Sequence, residues 1–112
     1  MNPLLIISRR APTDPHAPLQ ALHSALAAAS IDVPVTLLWQ DDGTQQLFLN
    51  ADSALSKMLQ QLELFDEIRL LCARPALEQR GLDAHAIRLP VQLMDGDSIR
   101  QLIHQHHAVM VY

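Results

Sequence analysis

Leu4-Leu5-Ile6-Ile7 is a run of four apolar residues, two of them β-branched. A run this short, with no polar residue to turn towards water, reads as a strand buried on both faces. That is the pattern of a parallel sheet with helices on either side. Three further segments share this character: Val35-Thr36-Leu37-Leu38-Trp39, Ile68-Arg69-Leu70-Leu71-Cys72 and Ala108-Val109-Met110-Val111-Tyr112. Ile87-Arg88-Leu89-Pro90-Val91 is a weaker fifth strand. Pro90 has no N–H to give to a ladder, so this strand belongs at an edge or a bulge.

The intervening segments carry helical spacing. Leu19, Leu22 and Leu26 recur among alanines between residues 19 and 29, and alanine is the strongest helix former. Residues 11–18, with three prolines, read as a loop leading into that helix. Asp41-Asp42-Gly43 closes the second strand with turn chemistry, and residues 45–49 suit a short helical turn. Asp52 or Ser53 is placed to cap a helix in which Leu55, Met58, Leu59 and Leu62 share a face. Pro75 sits where a helix begins and Gly81 where it stops. Asp97 or Ser98 is placed to cap a last helix carrying Ile99, Leu102 and Ile103. The alternation β-α-β-α-β-α-β-α-β predicts a three-layer α/β/α domain over residues 1–112, flavodoxin-like in general architecture, with a mainly parallel five-stranded sheet.

Composition removes several functions. The 112 residues include one cysteine, which excludes an internal disulfide and a multi-thiolate zinc site. Three glycines leave no material for a Walker or dinucleotide loop. Four aromatic residues and a net charge of −4 argue against a base-stacking or duplex-binding surface, so no autonomous nucleic-acid binding is expected. No run approaches a membrane span, and a lone cysteine without a targeting segment suits a reducing cytoplasm. Neither a metal nor a cofactor is expected.

Cys72 is the candidate for chemistry. It ends a predicted strand just before a helix start, with Arg74 close in sequence. A helix N-terminus and a cation both favour thiolate, the species that attacks a persulfide. The competing reading is a small hydrophobe at the end of a core strand. Asp41 and Asp42 do not make a receiver-type phosphorylation pocket, because Cys72 stands where a further aspartate is required and the single lysine, Lys57, lies on a helix. His104 and His107 share a helix face, but no carboxylate or cysteine follows to complete a metal site. Arg9-Arg10 at the mouth of the first strand reads as a solvated loop, with phosphate or a partner's acidic edge as the functional alternative.

Several segments together carry a family resemblance. They are Asp41-Asp42-Gly43 with Gln46-Leu47, Leu62-Glu63-Leu64-Phe65-Asp66, Ala76-Leu77-Glu78-Gln79-Arg80-Gly81-Leu82-Asp83, and the closing Val109-Met110-Val111-Tyr112. The chain resembles the DsrE/DsrF-like family nearly end to end, most closely its TusC (DsrF) branch. Thr44 and Gln45 stand where that branch has apolar residues, and Cys72 lies one residue further from Gly81 than is usual. The resemblance implies a subunit that joins TusB-like and TusD-like partners in a heterohexamer. That complex relays persulfide sulfur towards 2-thiolation of the tRNA wobble uridine, or in relatives towards sulfur oxidation. It also implies that the reactive cysteine belongs mainly to the TusD-like partner, leaving this chain a structural role, with Cys72 as persulfide acceptor the alternative. A subunit built for a complex is expected to self-associate when isolated. A flavin or nucleotide at the strand ends is a third reading, supported by fold analogy alone.

Overall fold

The computed structural model describes residues 3–14 and 16–112. Its strands are β1 (Leu4–Ser8), β2 (Val35–Trp39), β3 (Ile68–Ala73), β4 (Gln92–Met94) and β5 (Ala108–Val111). They form one sheet in the order β4-β3-β2-β1-β5, every pairing parallel. The α/β architecture read from the apolar runs is the observed one.

The helices are α1 (His16–Ser30), α2 (Ala54–Gln60), α3 (Arg74–Gln79) and α4 (Gly96–Gln105). From β1 the chain steps sideways through β2 and β3 to β4, and α4 then carries it back across to β5 on the far side of β1. Because strand crossovers are right-handed, reversing the step moves the connecting helix to the opposite face. The core divides accordingly. Ala21, Leu22 and Ala25 of α1 and Leu59 of α2 pack with Ile6, Leu37 and Leu70 on one face. Ile99 and Leu102 of α4 pack with Leu5, Ile7, Leu38 and Leu71 on the other. Adjacent residues of β1 serve opposite faces, which is why Leu4–Ile7 needs no polar member.

Local chemistry sets the boundaries. The first helix starts at His16, ahead of the leucine stripe, and takes Pro18 into its first turns, where N–H groups have no helical partner. Ser53 caps α2 through its hydroxyl, which accepts from the Ser56 N–H at 3.1 Å. Arg74 and Pro75 open α3. At its far end Leu82 N–H donates to the Leu77 carbonyl and Gly81 N–H to that of Glu78, with Gly81 at φ 64°. This is a Schellman stop, and glycine takes that left-handed backbone without strain.

Two expectations are corrected. Residues 87–91 are not a strand; Val91 N–H turns back to the Leu89 carbonyl at 2.8 Å and β4 begins only at Gln92. Pro90 deletes the donor a strand there requires, so pairing starts beyond it, at the sheet edge. Neither Asp97 nor Ser98 caps α4. The N-cap is Asp95, whose side chain makes no capping bond and instead meets Arg74 Nε at 3.0 Å.

Candidate functional site

At the carboxyl ends of β1, β2 and β3 the sheet gives way to a buried polar layer. Residues Asp41–Phe48 form a 3-10 segment that lies across the ends of the strands. Its entry is tight. Asp41 has φ 52°, and a Cβ placed on Gly43 would sit 2.1 Å from the Ser8 carbonyl oxygen. Only glycine fits there, because its missing side chain lets two backbones touch. Ser8's carbonyl is itself engaged by the Gln40 N–H at 3.0 Å, so it has nowhere to move.

Beside this contact, Gln46 is buried and uses both ends of its amide. Its Oε1 accepts from Trp39 Nε1 at 3.2 Å, and its Nε2 donates to Ser8 Oγ and to the Arg10 carbonyl, each at 2.9 Å. Thr44 is also buried, and its hydroxyl donates to the Asp41 carbonyl at 2.9 Å. A buried indole N–H left unpaired costs about 1–3 kcal/mol, so Gln46 keeps Trp39 tolerable in the core while fixing the loop after β1. Among the described residues no buried side-chain nitrogen or oxygen lacks a partner. The two polar residues that depart from the family's apolar pattern are thus half-explained: Thr44 closes its own turn.

Outside this layer three ion pairs tie the loops together. Arg9 meets Asp41 at 2.7 Å, Arg80 meets Asp42 at 3.0 Å, and Arg74 meets Asp95 at 3.0 Å. The Arg9 and Arg74 pairs are largely exposed and contribute about 0–1 kcal/mol each. Arg80 is partly buried and also donates to the Ala76 carbonyl at 3.1 Å. All three serve chiefly to hold loop geometry. Asp41 and Asp42 are therefore turn residues with arginine partners.

Cys72 lies on the α1/α2 face of the sheet, level with Trp39 on β2 and Leu93 on β4. It is 0% exposed and packs in the cluster that holds Trp39 and Leu77. Arg74 is engaged by Asp95, and burial pushes the thiol up from 9.0 to about 11. Desolvation of the charged form is the cause.

The histidines stay apart from this region. His104 and His107 are exposed, His106 Nδ1 lies 2.8 Å from the Leu102 carbonyl at the end of α4, and no metal-holding cluster occurs among the described residues. The side edge of the sheet is more telling. All four residues of β5 are exposed, Val111 at 56%, and Ile103 of α4 is exposed as well. β5 carries no charge, proline or glycine, the usual guards of an open edge. Sequence reasoning missed Gly43, Gln46 and Ser8 as the builders of the polar layer. The signal was available in part: a D-G pair after a strand, followed at short range by a glutamine.

Gly43→Ala should lower the melting temperature by more than about 10 °C, or prevent folding, since backbone must move to admit the Cβ. Gly96→Ala, where a Cβ meets open space, should leave it within a few degrees. The thiol makes a second prediction. Its folded pKa is raised, so its contribution is fully present below pH 9 and is lost as pH climbs through about 11. Measured by denaturant melts, the parent chain should lose about 2–3 kcal/mol more than Cys72→Ala over that interval. Parallel pH profiles would show that the thiol is hydrated in the native state.

With this geometry in place, comparison with known proteins is informative. The DsrE/DsrF-like family model matches residues 2–112. A protein of Pseudomonas aeruginosa named "Protein TusC homolog" is 34% identical over 113 residues, covering 96% of this chain and 95% of that one. The crystal structure of the YchN protein from E. coli superposes with a TM-score of 0.85 over the whole of both chains at 15% identity, a likeness of fold. The chain belongs to the DsrE/DsrF-like family.

Proposed function

We propose that this chain is a non-catalytic, TusC-like subunit of a heteromeric persulfide-relay complex that serves 2-thiolation of the tRNA wobble uridine. The observation that carries the reading is the state of Cys72. The only thiol of the chain lies in the packed face of the sheet, protonated well beyond neutral pH, whereas a sulfur acceptor must present a thiolate to its donor. The similarity along nearly the whole chain to a TusC homolog supports the same placement.

The partners are TusB-like and TusD-like subunits, with the reactive cysteine supplied by the latter. The uncharged, open β5 edge suits such an assembly, because backbone groups along an unpaired strand accept a neighbouring element and the apolar side chains bury against it. The same edge supports self-association of the isolated chain. No helix among the described residues is long and apolar enough to cross a membrane, which fits the proposed place in the cytoplasm.

The test is co-expression with TusB-like and TusD-like chains, read by native mass and by wobble-uridine thiolation in cells lacking the endogenous subunit. Cys72→Ala should assemble and restore thiolation to within about twofold of the parent chain. Val109→Lys should keep its melting temperature and lose most of the assembled complex. Full assembly of Cys72→Ala with thiolation abolished would overturn the non-catalytic reading and make Cys72 the sulfur acceptor.

A further inference from the structure

Hydrogen bonds at the end of β5 determine which of its backbone groups are free. Tyr112 N–H donates to the Ile7 carbonyl at 2.8 Å, and the Tyr112 carbonyl accepts from the Arg9 N–H at 2.8 Å. Both polar groups of Tyr112 therefore face β1, and the ladder runs past Val111 to cover residues 108–112. Successive residues of a strand turn their N–H and C=O to alternate sides. Ala108 and Met110 thus face β1 as Tyr112 does, while Val109 and Val111 hold theirs away from it. No strand among the described residues lies on that outer side.

The side chains are sorted between the two faces. Val109 and Val111 stand level with Leu5 and Ile7, on the α4 face, and Met110 stands level with Ile6, on the α1 face. All three are exposed. The opposite edge of the sheet is different. β4 has only three residues, follows Pro90, and carries Gln92, whose Oε1 accepts from Arg69 at 3.5 Å. Short length, proline and polar cover are the usual guards of an edge. Joining β5 of one copy to β4 of the next would string copies into an open array, and β4 offers no matching edge for it. A contact of β5 with itself closes on a two-fold axis.

We propose that β5 pairs antiparallel with β5 of a second copy of this chain, centred on Met110. The two-fold axis of such a pair runs perpendicular to the sheet, so like faces join and some residue must oppose itself. The ladder over residues 108–112 has Met110 at its middle. Centred there, Val109 of each copy exchanges both hydrogen bonds with Val111 of the other, using the groups that face away from β1. The two Met110 side chains meet at the position between these bonds, where Cα atoms approach about 4.5 Å. Methionine's flexible thioether adapts to such a contact. The valines of both copies make one apolar strip on the α4 face. Each chain carries a net charge of −4, but β5 carries none, so the axis opposes no like charges. The seam is short for an interface, so the pair is weak, with a Kd of about 0.1 mM. This pairing gives a geometry to the self-association proposed above and rests on it; the relay role is independent of it.

Disulfide trapping of the isolated full chain tests this, with Cys72→Ala as background and oxidised glutathione as oxidant. Met110→Cys should accumulate covalent dimer at about 0.1 mM chain, read by intact mass, because opposed Cα atoms lie within disulfide reach. Val109→Cys and Val111→Cys should trap slower by about tenfold or more, since each is more than about 7 Å from its own counterpart. Adding Val111→Pro to Met110→Cys deletes an N–H that faces away from β1. It should keep the melting temperature within a few degrees and cut trapping by about tenfold. No dimer from Met110→Cys overturns the pairing and leaves the edge to the TusB-like and TusD-like chains, whose assembly native mass reads separately. Trapping as fast by Val109→Cys or Val111→Cys overturns it as chance collision or another register.

Discussion

The backbone contact between Gly43 and the Ser8 carbonyl is the constraint on which the rest of this structure depends. It brings the turn after β2 against the end of β1 at a distance no side chain permits. From that approach follow the reach of Gln46 to Trp39, Ser8 and the Arg10 carbonyl, and the ion pair between Arg9 and Asp41. A shift of one ångström here would leave an indole N–H and an amide unpaired in the core and free the loop after β1. Catalytic families often spend such a rigid rim on a reactive group. Here it encloses polar groups that satisfy one another.

The second determinant is the reversal of chain direction at α4. It leaves α1 and α2 on one face with Cys72 beneath that layer, and it leaves β5 at the end of the sheet with its side chains exposed. One topological step thus seals the thiol's strand and opens an edge. The proposed subunit role rests on this combination of a buried thiol and an uncharged, exposed strand.

Much of the fold was legible because each apolar run had a single interpretation. Leu4–Ile7 and Val35–Trp39 are buried on both faces, and nothing but a covered parallel sheet accommodates that. Gly81 was readable as a helix stop because only the left-handed region satisfies the last carbonyls of α3. The fourth strand was misplaced by several residues, because Ile87, Leu89 and Val91 have the right period while Pro90 removes the hydrogen bond that would use it. The cap of α4 was misread because Asp95 answers to Arg74, a residue distant in sequence. The site was the least legible part. Arg74 beside Cys72 in the chain suggested an activated thiol, but neighbours in sequence do not reveal which face of a strand a side chain takes. Packing decided that, and it placed the thiol with Trp39 and Leu77.

The central claim is that the only thiol of this chain is part of its core and carries no sulfur. The rate at which Cys72 reacts with a disulfide reagent at neutral pH, compared between the native and the denatured chain, tests it most directly. A thiol that is 0% exposed reacts only when the structure opens, so the native rate should be slower by about a thousandfold or more and should rise with sub-denaturing urea. A native rate within about tenfold of the denatured one would contradict the account and return Cys72 to the chemistry of the relay.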